Sequence, residues 1–379
     1  MIYLDNGATT YPKPPAVRGA MANALYKYGA NPGRGGHQMS IDTAEMIFSC
    51  RQEASDFFGA DGAECVIFQP GCTQAINTVV KGVLKKGDQA VISDLEHNAV
   101  TRPLSKLEKA GVIVKTAKTY PGDLEKTLNS FKEAIGGNTK LVVCTQGSNV
   151  FGIRLPVEEI AVLAHKAGAK ICVDAAQSAG IVPIDMQKSG IDYLCVPGHK
   201  GLYGPMGIGL LIMHSGDLID TLVEGGTGTQ STMQYQPSDP PERYESGTQN
   251  VPGIAGLRAG MEFIRRTGMN KIYRHEMGLI NWCVDMLDKM PFAQRYNDLS
   301  IPGSLPVLSF NVKGALSEDV GEYLAKRNIA VRCGLHCAPS AHDKMGTKDG
   351  TVRIVPSYFT TRKEIEHLIS CVYRFYKRS

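Results

Sequence analysis

Four short stretches of the 379-residue chain set chemically useful side chains into turns that would hold them open to a ligand. Gln69-Pro-Gly-Cys-Thr-Gln74 places Gly71, Cys72 and Thr73 between an apolar run and a helical pattern. Such a turn aims free backbone N–H groups and a hydroxyl at an anion, usually phosphate, although most turns of this kind only cap a helix. Glu96-His97 stands at the end of another apolar run, where a histidine is either structural or an acid–base group. Asp174 follows a third run, in Val173-Asp-Ala-Ala-Gln177. An acid there caps a helix, joins an ion pair, or holds a proton on a heterocyclic nitrogen. The fourth stretch, Pro197-Gly-His-Lys200, precedes Gly201, Gly204, Gly207 and Gly209. Its lysine is a surface residue, a phosphate ligand or an amine able to form a Schiff base.

Taken together, the four are narrower in meaning. A phosphate turn, a histidine facing a ring, a strand-end aspartate and a strand-end lysine are what pyridoxal phosphate requires. The aldehyde needs a lysine to hold it as an imine, and the pyridine nitrogen needs a carboxylate to keep its proton. That proton makes the ring an electron sink. A metal centre fits less well, because no His/Asp/Glu pair sits at ligand spacing on one helix.

These residues must be carried by elements that the apolar pattern defines. Cys65–Phe68, Gln89–Ser93, Val112–Lys115, Leu141–Cys144, Lys170–Val173, Asp192–Val196 and Ile208–Ile212 read as buried strands. Amphipathic stretches such as Arg102–Ala110 and Val157–Ala167 lie between several of them, which predicts an α/β fold with a mainly parallel sheet. No helix separates the last two strands, which allows one antiparallel member. Open sheets of this kind bind ligands at the C-terminal ends of their strands, where all four stretches fall. Residues 225–250 turn to Gly, Thr, Gln, Ser and Pro and read as a long loop. Helices over Val251–Arg266 and Ile272–Lys289, strands near Pro306–Val312, Ala330–Arg332 and Thr351–Val355, and a helix opened by a capping box at Thr361–Glu364 follow. They predict a smaller α+β domain of residues 1–12 and 253–379 beside a large domain of residues 13–252.

With these motifs in order, the sequence resembles the aminotransferase class V family, and within it the cysteine desulfurase/selenocysteine lyase group. The likeness runs from Tyr3-Leu-Asp-Asn-Gly-Ala-Thr-Thr10 and Asn31–His37 through Gly71–Asn77, Glu96-His97, Ser148-Asn149 and Asp174–Gln177. It continues through Gly198-His-Lys200, Tyr203-Gly-Pro205, Glu245–Thr248 and Arg332-Cys-Gly-Leu-His-Cys337. The compact Arg-x-Gly-x-x-Cys spacing is similar to one subgroup rather than to the one whose cysteine rides a long loop. The resemblance implies the fold of pyridoxal phosphate-dependent transferases, fold type I. It implies that Lys200 carries the cofactor and moves protons, that Asp174 pairs with the pyridine nitrogen, and that Gln177 bonds the phenolic oxygen. His97 would stack on the ring. Thr73, His199 and the backbone at Gly71 and Cys72 would hold the phosphate, with Thr248 reaching the phosphate of a neighbouring subunit in a homodimer. Asn149, Arg332 and Arg353 would serve the substrate carboxylate. Cys337 would take sulfur from L-cysteine as a persulfide, leaving alanine, in a thiolate state favoured by Arg332 and His336. A protein or small thiol would then accept the sulfur. Pro197, Gly201 and Cys72 depart from the family pattern around the phosphate.

Selenocysteine lyase is the close alternative, followed by an aminotransferase or carbon–sulfur lyase of the same fold. A scaffold without catalysis has no need for Lys200, Asp174, His97, Arg353 and Cys337 together. Composition narrows the remaining classes. Net charge is +4 with no long basic run, so nucleic acid is not an expected partner. No run of about 18 apolar residues suggests a membrane span. The N-terminus shows no apolar leader, and ten scattered cysteines read as reduced thiols in a cytoplasmic protein. Cys333, four positions before Cys337, is a minor candidate for a second thiol.

Overall fold

Short runs rich in Val, Ile and Leu, buried on both faces, build the central sheet. The computed structural model describes residues 1–32, 36–298 and 301–378, so Gly33, Arg34 and Gly35 of the Asn31–His37 motif lie outside the described residues. Seven strands, β1 (Val66–Gln69), β2 (Gln89–Ser93), β3 (Ile113–Ala117), β4 (Thr139–Thr145), β5 (Lys170–Asp174), β6 (Tyr193–Pro197) and β7 (Gly209–Met213), lie in the order β1-β7-β6-β5-β4-β2-β3. Six run the same way, while β7 is antiparallel to both β6 and β1. It follows β6 without a helix because only a parallel neighbour needs a long crossover.

Except in the edge strand β3, where Ile113, Lys115 and Thr116 are exposed, successive side chains of the strands enter different cores. Val66, Phe68, Val142 and Val173 pack on one face, Ile67, Leu141, Val143 and Cys172 on the other. Helices Gln38–Phe58, Val157–Lys166 and Val251–Thr267 cover the first face, and Cys72–Val83 and Asn98–Glu108 the second. Burial on both faces explains why the strands read as continuous apolar runs rather than alternating ones.

A second sheet, antiparallel, comprises β8 (Ala293–Arg295), β9 (Leu308–Val312), β10 (Arg332–Gly334) and β11 (Thr351–Ile354) in the order β10-β11-β9-β8. Its core is closed by helices Met269–Leu287, Ser317–Ala325 and Arg362–Tyr376, the last opened by the Thr361/Glu364 capping box. Ile2–Tyr3 pairs in parallel with Ile329–Ala330, and Leu4 enters the same core. Helix Val251–Thr267, placed in the smaller unit by a division at 252, packs into the core of the large sheet. The change of core falls within Met269–Leu287, where Ile272 joins the first core and Leu279 the other.

The 225–250 loop is pinned rather than loose. Glu245 accepts from the Arg51 guanidinium at 2.6 Å and from the Phe68 amide at 2.6 Å, in a buried ion pair. Among the described residues, no helix is long and apolar enough to cross a membrane.

Candidate active site

The C-terminal ends of β1, β2, β4, β5 and β6 all point to one edge and open onto a cleft of about 640 Å³. Gly71, Cys72, Thr73, His97, Asn149, Asp174, Gln177, His199 and Lys200 line it. The turn after β1 leads into helix Cys72–Val83, whose first N–H groups, at Cys72 and Thr73, precede the first intrahelical bonds and suit an anion.

Asp174, 3% exposed at the end of β5, has one oxygen occupied: Oδ1 accepts from the Ala176 amide at 2.9 Å and the Cys72 thiol at 3.3 Å. None of these contacts uses Oδ2. The Cys72 side chain is thereby turned away from the phosphate turn, and burial together with Asp174 raises its pKa well above the usual thiol range. His97 caps helix Asn98–Glu108 by accepting the Ala99 amide at Nδ1, 3.0 Å, which places its ring proton on Nε2. Burial holds its pKa below the ordinary histidine value, so the ring is neutral at pH 7.

Lys200 sits in the turn after β6. Burial lowers its ammonium pKa, and the Asp174 charge opposes that shift in part. Burial, with Lys200 and Lys13 adding like charge, pulls His199 down to about 4. Its Nδ1 is buried without a partner. Gly201 is explained by the packing of this turn, since a Cβ there would lie 2.3 Å from the Ala179 carbonyl oxygen. Gln177 donates one amide hydrogen to the Gly7 carbonyl at 3.1 Å and retains a second.

Cys337 reaches this edge from the second sheet, on the turn between β10 and helix Pro339–Met345. Two bonds tie the turn to the cleft: the Asn98 amide to the Cys337 carbonyl, 2.7 Å, and the Asn149 side-chain amide to the His336 carbonyl, 2.8 Å. His336 and Cys337 both adopt left-handed backbone, φ 49° and 58°, uncommon for side chains of this kind and frequent at functional sites. The Arg332 guanidinium donates to the Cys337 sulfur at 3.2 Å. His336 does not share that task, contrary to the sequence expectation. It is 2% exposed, turns Nε2 to Thr351, and burial drives its pKa to about 2, so it carries no charge to favour a thiolate. Cys333 faces the Gly321 stretch of helix Ser317–Ala325, and burial pushes it up to about 12.

Arg353 lies behind Asn149, 1% exposed. It donates to the Asn149 carbonyl at 2.8 Å and to Asp5 at 2.7 Å, while its Nε is buried without a partner. Asp5 was not singled out from the sequence. Its only signal there was a lone acid beside an apolar start. Thr248 is exposed and lies outside the cleft, in a smaller hollow of about 170 Å³ that shares Gln74 and Gly207 with it.

A ligand fitting these groups carries an anion for the helix start and His199, a protonated ring nitrogen for Asp174 Oδ2, and a carbonyl carbon for Lys200. Fold and site together are those of the aminotransferase class-V family. The family model for aminotransferase class-V matches residues 2–368, and the chain belongs to that family. It is 33% identical over 376 residues to a probable cysteine desulfurase of Methanothermobacter thermautotrophicus, covering 97% of this chain and 92% of that one. A cysteine desulfurase of Klebsiella pneumoniae subsp. pneumoniae is 33% identical, with 100% and 94% covered. The apo cysteine desulfurase of Thermococcus onnurineus NA1 superposes with a TM-score of 0.93 at 33% identity, covering 100% and 95% of the two chains. The Escherichia coli cysteine desulfurase CsdA does so with 0.87 at 27%, covering 99% and 94%.

Proposed function

We propose that the protein is a pyridoxal phosphate-dependent cysteine desulfurase that converts L-cysteine to L-alanine and keeps the sulfur as a persulfide on Cys337. The observation that carries this reading is the Arg332–Cys337 contact, 3.2 Å, on a turn bonded to the cleft that holds Lys200 and Asp174. An aminotransferase needs no such thiol.

The buried, unpartnered His199 Nδ1, the uncommitted Asp174 Oδ2 and the helix start at Gly71–Thr73 fit the cofactor's phosphate and ring nitrogen. When bound, pyridoxal phosphate supplies an electron sink for bond changes at the substrate Cα. Lys200 would hold it and move protons. Burial lowers the Lys200 pKa, which shifts it towards the free amine that both tasks require. Asp174 would keep the ring nitrogen protonated, His97 would serve the ring face, and the second Gln177 N–H would serve the phenolic oxygen. The unpartnered Nε of Arg353 and the second amide hydrogen of Asn149 receive the substrate carboxylate. Arg332 stabilises negative charge on the Cys337 sulfur, which attacks the substrate sulfur. The new S–S bond forms as the substrate C–S bond breaks, and the carbon fragment takes up a proton to leave as alanine.

A homodimer with shared sites is part of this proposal. Exposed Met206, Met233 and Tyr235 lie around the cleft mouth and the 225–250 loop, where a second subunit would cover them and where Thr248 would reach the neighbour's phosphate. Ten free cysteines support a cytoplasmic place, and a protein or small thiol would accept the sulfur. The test is alanine release from L-cysteine, with a thiol reductant, by the wild type and by Cys337→Ala. The expected result is release that falls at least about a hundredfold in the variant while its bound-cofactor spectrum persists. Selenide release from L-selenocysteine retained by the variant, with no alanine from L-cysteine by the wild type, would assign a selenocysteine lyase instead.

A further inference from the structure

Beside the cleft, and sharing Ala176, Gln177 and Lys200 with it, lies a cavity of about 30 Å³, enough for a water molecule. Gln177, Lys200, Tyr203 and Glu276 are among its walls, and its titratable groups are Lys200, Tyr203 and Glu276. Glu276 is 2% exposed on helix Met269–Leu287, in line with Ile272, Leu279 and Ile280, and among the described residues it forms no ion pair. An acid on the apolar stripe of a helix is costly to bury unless something uses it. Its oxygen Oε1 accepts from the Tyr203 hydroxyl at 3.2 Å, and that hydroxyl accepts from the Tyr358 amide at 3.1 Å. Tyr203 is 1% exposed and holds a left-handed backbone, φ 58°. Its own amide donates to the Lys200 carbonyl at 2.8 Å. A bulky residue in that conformation is strained and stays there only when its surroundings fix it.

We propose that Tyr203 and Glu276 form a latch that positions Lys200, Glu276 acting through the Tyr203 hydroxyl and Tyr203 through the turn that presents the lysine. The latch crosses from the large-sheet body, which carries Lys200 and Tyr203, to the helix and the Tyr358 turn beside the second sheet. It therefore sets the lysine amine relative to Asp174 on one side and Arg353 on the other. Burial pushes Glu276 up to about 8, so at pH 7 it accepts the Tyr203 proton as a neutral carboxyl, a role that glutamine reproduces.

The role rests on the proposed function of Lys200, and two readouts keep the two ideas apart. Full-length wild type, Tyr203→Phe, Glu276→Leu and Glu276→Gln are first compared without cofactor. The readout is the pH midpoint of Lys200 carbamylation by cyanate, followed by peptide mass spectrometry. After loading with pyridoxal phosphate, the pH midpoint of its visible band and its rate of dissociation are measured. Tyr203→Phe and Glu276→Leu are expected to move both midpoints by at least about half a pH unit and to speed dissociation about tenfold. Glu276→Gln should restore wild-type values. Wild-type midpoints in Tyr203→Phe would overturn the latch, as would a Glu276→Gln variant that behaves like Glu276→Leu. Should Glu276→Leu fail to fold, Tyr203→Phe and Glu276→Gln decide alone. If the wild type takes up no pyridoxal phosphate, the proposed function of Lys200 fails, and the carbamylation midpoints still decide the latch.

Discussion

The floor of the cleft and the Cys337 turn meet at one edge but are built in opposite ways. Asp174, Lys200 and His97 follow the ends of strands in a sheet covered on both faces; hydrogen bonds fix the directions of Asp174 and His97, and the Lys200 carbonyl is held by the Tyr203 amide. Cys337 sits between a three-residue strand and a seven-residue helix, on two successive left-handed residues, held by two hydrogen bonds to the floor. A cofactor needs the first kind of support, because displacement of its ring by about 1 Å costs heavily in rate. A thiol that must meet first a substrate and then an acceptor needs the second. Two chemical tasks are thus separated by the stiffness of what carries them.

That contrast can be broken from either side. Lys200→Ala should abolish desulfuration, by at least about a thousandfold, while Cys337 alkylates at its normal rate. A parallel loss of thiol reactivity would show the two regions to be one unit. Gly201→Ala, with its Cβ forced to 2.3 Å from the Ala179 carbonyl, should destabilise the fold by about 2 kcal/mol in denaturant melts and loosen cofactor retention. An unchanged midpoint would mean that the lysine turn is softer than the packing indicates. Arg332→Met should slow iodoacetamide alkylation of Cys337 by about tenfold and leave the cofactor spectrum alone. A disturbed spectrum would place Arg332 in the floor.

The smallest effect concerns pH. Glu96, at the end of β2, is fully buried and accepts from the Thr145 amide at 2.9 Å, and burial raises it from 4.5 to about 8, as it does Glu276. Folding keeps these acids protonated where the unfolded chain has ionised them. Their contribution is therefore complete below pH 4.5 and is lost as pH rises towards 8. Melting temperature should fall by a few degrees across that window, and Glu96→Gln should flatten part of the slope. A wild-type slope in the variant would remove Glu96 from the account.

Much of the floor was legible because strand ends are. Four of the seven apolar runs end within two residues of a side chain that lines the cleft, Gln89–Ser93 ends four before His97, and a parallel sheet brings such ends together without further information. Chemistry carried by long-range pairing was less visible. Asp5 meets Arg353 across 348 positions, and Glu276 meets Tyr203 through packing of two helices' worth of intervening chain. His336 misled for a related reason. Its place one residue from Cys337 suggested a charge, whereas its burial against Thr351, set by the second sheet, removes it. The register of β10 on β11, which brings Arg332 opposite Arg353, is likewise a tertiary fact with no local mark.

Eight of the ten cysteines are buried, and Cys333, the nearest in sequence to Cys337, is turned into a core with its pKa pushed to about 12. For a protein that would generate a reactive sulfane sulfur within its own chain, this arrangement is insulation. Persulfide passes readily between thiolates, so any second accessible thiol would be a leak. By burying eight of the others and turning Cys333 inward, the fold leaves sulfur on Cys337 two ways to go: back to where it came from, or out to whatever molecule docks at that turn.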